Sequence, residues 1–205
     1  MEWKNKKVLV TGSGGLIGRE LVEQLEELGA DVLGADIKKE DGINSSIFDL
    51  TYKHLCQLMI ENYRPDYIFH LVGVKGSPRM TKEKPVDFMA PMLQCDTNMI
   101  IAAQKYKVKK FLYTSSIALL NMHTDKFPAT AKQTAETLIE AMRIQYPNGT
   151  KYCVVRPSSV YGRYENFDRD GLMVVSDLIK RAVIEDKDIE LWDDGESVRD
   201  FINSK

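Results

Sequence analysis

The stretch from Lys6 to Leu21 constrains this chain more than any other, because three local signals follow one another there without a gap. Val8-Leu9-Val10 is a short apolar run and reads as a buried strand. Gly12, Gly14, Gly15 and Gly18 crowd the residues that follow. A helical pattern then begins, with Ile17, Leu21, Leu25 and Leu28 on one face. Strand, glycine turn and helix are what a pyrophosphate site needs. Glycines let the backbone approach the phosphates, and the helix N-terminus offers free N–H groups and partial positive charge. The spacing is T-G-x-x-G-x-x-G, not G-x-G-x-x-G, whose last position would be Ile17.

The pattern downstream fits that start. Gly29 caps the first helix, and residues 30–36 read as a second strand ending on Asp36. A carboxylate there suits the hydroxyls of an adenosine ribose and repels a 2′-phosphate, which favours NAD over NADP; Lys38 and Lys39 act against that preference. Ile47 to Leu50 is a short apolar segment, and Thr51 is placed to cap a helix running to Tyr63. Asp66 to Val72 reads as a further strand, and Gly73 to Pro91 as irregular. Helices over about 91–107 and from near Pro128 flank a strand from Lys109 to Ser115. Tyr152 to Val155 is another strand. Strands alternating with helices predict a doubly wound parallel sheet covered on both faces. After Pro157 the character changes: a loop-like stretch from Ser158 to Gly171, a helix over 172–184, a short strand at 189–192, a turn at 193–196, and a strand opening near Arg199.

Composition narrows the functional classes. The 205 residues are 43% hydrophobic, enough for a sizeable core, and the net charge of -2 gives no bulk electrostatic case for nucleic acid or an anionic membrane. Cys56, Cys95 and Cys153 lack metal-ligand spacing and sit in apolar surroundings, which predicts buried free thiols in a reducing cytoplasm and no metal site. The N-terminus has no signal-peptide pattern, and no apolar run reaches membrane-span length. Lys75, Ser77 and Arg79 follow the end of a parallel strand, where ligands bind in open α/β sheets, and are candidates for a sugar or diphosphate. A merely solvated loop fits them equally.

From about Lys6 to Ile202 the chain resembles the extended short-chain dehydrogenases/reductases, specifically the NAD-dependent nucleotide-sugar epimerase/dehydratase group. The resemblance is carried by several separate matches: Thr11 to Gly18, Asp49-Leu50, His70-Leu71-Val72-Gly73, Asn98, Tyr113-Thr114-Ser115-Ser116, Arg156-Pro157, Val160-Tyr161-Gly162 and Arg199-Asp200-Phe201-Ile202. It implies a Rossmann-type fold, NAD as cofactor and a nucleotide-diphosphate sugar as substrate. The reaction implied is transient hydride transfer on a sugar carbon. Residues implied to hold the cofactor are Gly12, Ser13, Gly14, Gly15, Leu16, Ile17, Gly18, Asp36, Asp49, Leu50, Leu71, Val72, Gly73, Lys132 and Pro157. Tyr161, Arg163 and Arg199 fall on the family's substrate-contacting positions. The helices after Pro91 and Pro128 resemble those that pair in the family's homodimer.

The family's chemistry rests on a Ser/Thr, a Tyr and a Lys. Ser116 fits the first and Lys132 the last, through Ala131-Lys132-Gln133-Thr134-Ala135-Glu136. The tyrosine belongs four residues before the lysine, and Pro128 stands there. Proline cannot accept a proton. The loop between Ser116 and Lys132 is also short for the family. Three readings stay open: another base, with His123, Asp125 or Lys132 as candidates; NAD or nucleotide-sugar binding without this chemistry; or a plain reductase. His70 reads as a strand-end histidine packed beneath the cofactor loop, and His54 as a surface residue. The expected organisation is an NAD-binding domain over 1–157 and a truncated or minimal substrate-binding part over 158–205, since family members continue past this point.

Overall fold

A computed structural model describes residues 3–38, 45–74, 78–121, 126–168, 172–184, 189, 196 and 198–205. Its centre is a six-stranded, all-parallel sheet. The strands are β1 (Lys7–Thr11), β2 (Asp31–Asp36), β3 (Ser45–Ile47), β4 (Tyr67–His70), β5 (Lys110–Thr114) and β6 (Lys151–Val155), in the spatial order β3-β2-β1-β4-β5-β6. Strand order reverses between β1 and β4. In such sheets the crevice beyond the carboxyl ends of the two strands at the reversal receives the ligand. Here the glycine turn lies at that crevice, because β1 ends on Thr11 and pairs with β4 through Thr11–His70.

Side-chain alternation along β1 assigns the two faces. Leu9 joins the larger core with Ile68, Phe111 and Tyr113, beneath helices α2 (Lys53–Tyr63), α4 (Pro85–Lys105) and α5 (Lys126–Gln145). Val8 and Val10 point the other way and meet Val22 and Leu25 of α1 (Leu16–Glu27), with Trp3 packed alongside. Gly29 ends α1 at φ +78°, with Ala30 N–H donating to Leu25 O and Gly29 N–H to Glu26 O. That is a left-handed C-terminal cap, the conformation for which glycine is suited.

The structure corrects several local expectations. The fully buried stripe of α1 is Gly18, Val22 and Leu25; Ile17 and Leu21 are only part-buried, and Leu28 is exposed as the C-cap. Thr51 does not cap α2. Tyr52 holds that position, while the Thr51 N–H and hydroxyl both donate to Asp49 Oδ1 at 3.0 and 2.7 Å. The stretch before Pro91 is largely helical: α3 spans Pro78–Glu83, and α4 starts at Pro85 and carries Pro91 inside it. Pro85, not Pro91, takes the first-turn position where a missing N–H has no helical partner to lose. Cys56 and Cys95 are buried, with burial pushing both thiols up to about 12, but Cys153 is exposed. Tyr152 takes the buried side of β6, so Cys153 faces away from the α2/α4/α5 layer.

Beyond Pro157 the expected loop contains β7 (Ser159–Tyr161), which pairs in parallel with β8 (Phe201–Asn203) as a separate two-stranded sheet. Helix α6 covers Val174–Ile184. The expected strand at 189–192 and turn at 193–196 lie outside the described residues, apart from Ile189 and Glu196. Among the described residues no helix is long and apolar enough to cross a membrane.

Candidate cofactor and active site

The glycine turn is built against two strand ends. Gly12 N–H donates to Ala35 O at 2.8 Å, and Gly15 N–H back to Gly12 O at 3.1 Å. Gly12 sits at φ +73°, and a Cβ there would lie 3.0 Å from the Leu71 carbonyl carbon. A Cβ on Gly18 would lie 2.1 Å from Gly12 O. These two glycines are therefore required by close backbone approach. Gly15 is less tightly enclosed: it is exposed and N-caps α1, and a Cβ there would lie 3.3 Å from Gly12 O, a close contact but a milder one than at Gly12 or Gly18. Leu16 and Ile17 open the helix after it, and N–H groups in a first helical turn have no carbonyl to bond within the helix. Ser13 is buried, and its Oγ has no hydrogen-bond partner among the described residues.

Asp36 reaches back over this turn. Its Oδ2 accepts from Gly14 N–H at 3.0 Å and its Oδ1 from Ile37 N–H at 2.7 Å. A glycine cradle, an orphaned buried hydroxyl and a carboxylate at the next strand end fit a dinucleotide's phosphates and ribose. Leu50 is buried, and its carbonyl and that of Thr51 accept from Asn98 Nδ2 at 2.9 and 3.0 Å, which ties this edge to α4.

The lysine meets the turn at the end of β4. Leu71 N–H donates to Thr11 O at 3.0 Å, and Lys132 Nζ donates to Val72 O at 3.1 Å. Gly12, the Leu71–Val72 backbone and Lys132 thus share one small region, and Gly73 beyond them has open space around it. Lys132 is buried, with Nζ 3.6 Å from Asp96 Oδ2 and 4.6 Å from the Tyr113 ring centroid. Asp96 Oδ2 also accepts from Tyr113 OH at 2.5 Å, and its Oδ1 lies 2.9 Å from His70 Nε2. His70 Nδ1 lies 2.7 Å from Thr11 Oγ1. Burial holds His70 below its ordinary value, so the imidazole is neutral near pH 7. Burial would raise Asp96, but Lys132, His70 and Tyr113 together hold it below the usual range. Burial lowers Lys132, and Asp96 opposes that. Burial raises Tyr113, with Asp96 adding to the effect, so this phenol is no proton acceptor.

The remaining candidates are less convergent. Ser116 Oγ accepts from Ala118 N–H at 3.1 Å, heading a 3₁₀ turn over Ile117–Asn121, and Pro157 O accepts from Ile117 N–H at 3.3 Å. Pro128 lies in the first turn of α5. Arg163 turns onto α1, pairing with Glu20 at 3.2 Å and with Glu23, while Tyr164 OH also donates to Glu23. Tyr161 stands in β7, and Arg199 is exposed just before β8. Lys75, Ser77, His123 and Asp125 lie outside the described residues, as does the side chain of Arg79. A cleft of about 410 Å³ near Arg64, Tyr106 and Lys107 lies at the amino-terminal end of the sheet, and it shares no residue with the glycine turn. Sequence reasoning missed Asp96; the signal was an acid at helical spacing with the apolar residues Met92, Met99, Ile100 and Ala103.

The sequence model of the NAD dependent epimerase/dehydratase family matches residues 8–205. The chain belongs to the NAD-dependent epimerase/dehydratase family. Among individual relatives, it is 24% identical to the GDP-L-colitose synthase of Yersinia pseudotuberculosis, over 96% of this chain and 68% of that one. The UDP-glucose 4-epimerase of Thermotoga maritima, solved with UDP-glucose, superposes with a TM-score of 0.85 at 23% identity, covering 97% of this chain and 69% of that one. A GDP-L-fucose synthetase from Naegleria fowleri bound to NADP gives a TM-score of 0.80 at 20% identity, covering 98% and 70%. The family's cofactor chemistry is NAD-dependent, and both solved relatives share the family's Rossmann-type fold with this chain.

Proposed function

We propose that this chain holds NAD in the crevice between β1 and β4 and acts on a nucleotide-diphosphate sugar by transient hydride transfer at a sugar carbon. One observation carries the reading: the glycine turn and Lys132 converge on the same Leu71–Val72 segment. The first-turn N–H groups of α1 and the Ser13 hydroxyl would take the phosphates, and Asp36 the adenosine ribose. Asp36 favours NAD over its 2′-phosphorylated form. Lys132 would hold the hydroxyls of the second ribose, and Ser116 would donate a hydrogen bond to the reacting sugar oxygen. NAD, when bound, supplies a hydride acceptor and, once reduced, a donor. Tyr161, Arg199 and the 75–79 segment are the substrate-side candidates; Arg163 would have to leave Glu20 and Glu23 to join them. An NAD-binding domain over 1–157 and a substrate-binding part over 158–205 belong to this proposal; the separate β7–β8 sheet supports that division.

Pro128 favours a second reading, binding of NAD or a nucleotide sugar without turnover, because no side chain there can accept the sugar proton. Incubation with NAD and a panel of nucleotide sugars separates the two. Epimers, keto-sugars or NADH that vanish in Lys132→Met support the enzyme; NAD binding with no product supports the binding protein. A homodimer through α4 and α5 is part of the proposal, supported by the exposed Val86, Ile101 and Ile144. A monomer in sedimentation at micromolar concentration contradicts it. The buried thiols of Cys56 and Cys95 suit a reducing, cytoplasmic setting.

A further inference from the structure

Asp96 is a charged residue where the packing calls for an apolar one. It is 1% exposed, between Cys95 and Met99 of the α4 core face. An ionised carboxylate at such a depth persists only when it is paired and hydrogen-bonded. Here every partner is a donor: His70 Nε2 at 2.9 Å on one oxygen, with Tyr113 OH at 2.5 Å and Lys132 Nζ at 3.6 Å on the other. The donor pattern assigns the histidine tautomer. With Asp96 ionised, Nε2 carries the proton, so Nδ1 accepts from the Thr11 hydroxyl at 2.7 Å. The chain of bonds therefore begins on Thr11, the residue entering the glycine turn. It crosses β4 and α4 and ends on the lysine of α5.

We propose that Asp96 is the positioning residue of Lys132: its carboxylate fixes the ammonium beneath Val72, and His70 and Thr11 anchor that carboxylate to the phosphate turn. The inference deepens the proposed function, since it rests on Lys132 being the lysine of the cofactor site. The groups facing Lys132 and Asp96 from each packed element are Thr11 on β1, His70 on β4, Tyr113 on β5, and Cys95 on α4, with Glu136 of α5 acting on Tyr113. Asp96 is the carboxylate that directly pairs with Lys132 among the described residues. Without it a buried ammonium lacks its countercharge, and burial favours the neutral amine. The Lys132 proton is thus a readout that a purely structural role for Asp96 would leave unchanged.

The test follows the Lys132 side chain by carbon NMR against pH in lysine-labelled protein, assigned with Lys132→Arg. In Asp96→Asn the amine should titrate about two pH units lower than in the unmutated chain, and Asp96→Glu should restore most of the difference. Calorimetry with NAD adds a functional arm. Affinity should be level between pH 7 and pH 9 in the unmutated chain and fall at least about tenfold across that range in Asp96→Asn. An unchanged Lys132 titration in folded Asp96→Asn overturns the proposal. Should that variant not fold, Lys132→Met gives the mirror measurement: the Asp96 carboxyl should titrate about two pH units higher, and no rise overturns the proposal. Absence of NAD binding in the unmutated chain would instead sink the cofactor reading, while the two titrations would still decide the role of Asp96.

Discussion

The crevice at β1 and β4 and the β7–β8 pair are built on opposite principles. At the crevice, backbone and side chains are locked from several directions: Gly12 against Leu71, Asp36 against Gly14, and Lys132 against Val72 and Asp96. At β7–β8 all three residues of β8 are exposed, and Val198 just before it is 95% exposed. That pair is tied to the rest by Arg163 and Tyr164 on the acidic side of α1, where an exposed Arg163 meets the buried Glu20 and the half-buried Glu23. The contrast teaches that the geometry of the proposed cofactor site is set by the large sheet and the helices packed on it. The residues expected to meet a sugar are held much more loosely.

Mutations can break or sharpen this contrast. The largest effect should come from Asp96→Ala, which strands the Lys132 ammonium in the core; a loss of about 4 kcal/mol in denaturant unfolding is expected. Gly18→Ala comes next. Its methyl would meet Gly12 O, and a loss of about 3 kcal/mol is expected, against about 0.5 kcal/mol or less for Gly73→Ala in open space. Equal costs for the two glycines would undo the claim that the turn is locked.

A smaller effect comes from pH. His70 is buried neutral, below its unfolded value, so its contribution is fully present above about pH 6.5 and is lost as pH falls. The unmutated chain should lose about 1 kcal/mol between pH 7 and 5.5 in urea titrations, and His70→Gln should lose clearly less. The smallest change belongs to the other region: Val198→Ser should shift unfolding by no more than about 0.5 kcal/mol. A large loss there would mean the β7–β8 side is more tightly integrated than its exposure indicates.

Much of the large sheet was legible because its signals are local. The run Val8–Val10, the glycines and the acid at Asp36 each report on their immediate neighbours, and parallel pairing follows from alternation. Helix boundaries read less well where two prolines compete: Pro91 looks like a start, but Pro85 is one, and only the fold reveals which N–H is dispensable. Cys153 misled because strand periodicity gives two faces without saying which of them a helix covers. The buried network was illegible for a related reason. Thr11, His70, Asp96, Tyr113 and Lys132 come from five separate elements, and only the packing of α4 and α5 on the sheet brings them together. Pro128 was read directly: the position four before Lys132 lies in the first turn of α5 and offers no proton acceptor.

The central claim is that the crevice between β1 and β4 binds NAD through the glycine turn and Asp36. Calorimetry with NAD on the unmutated chain, Gly15→Val and Asp36→Ala tests it most directly. Gly15 is the informative glycine, because it is exposed and its Cβ would meet Gly12 O at 3.3 Å, a milder contact than at Gly12 or Gly18. The account predicts saturable NAD binding that weakens at least about tenfold, or roughly 1.4 kcal/mol, in each variant. No binding by the unmutated chain, or unchanged affinity in both variants, would contradict it.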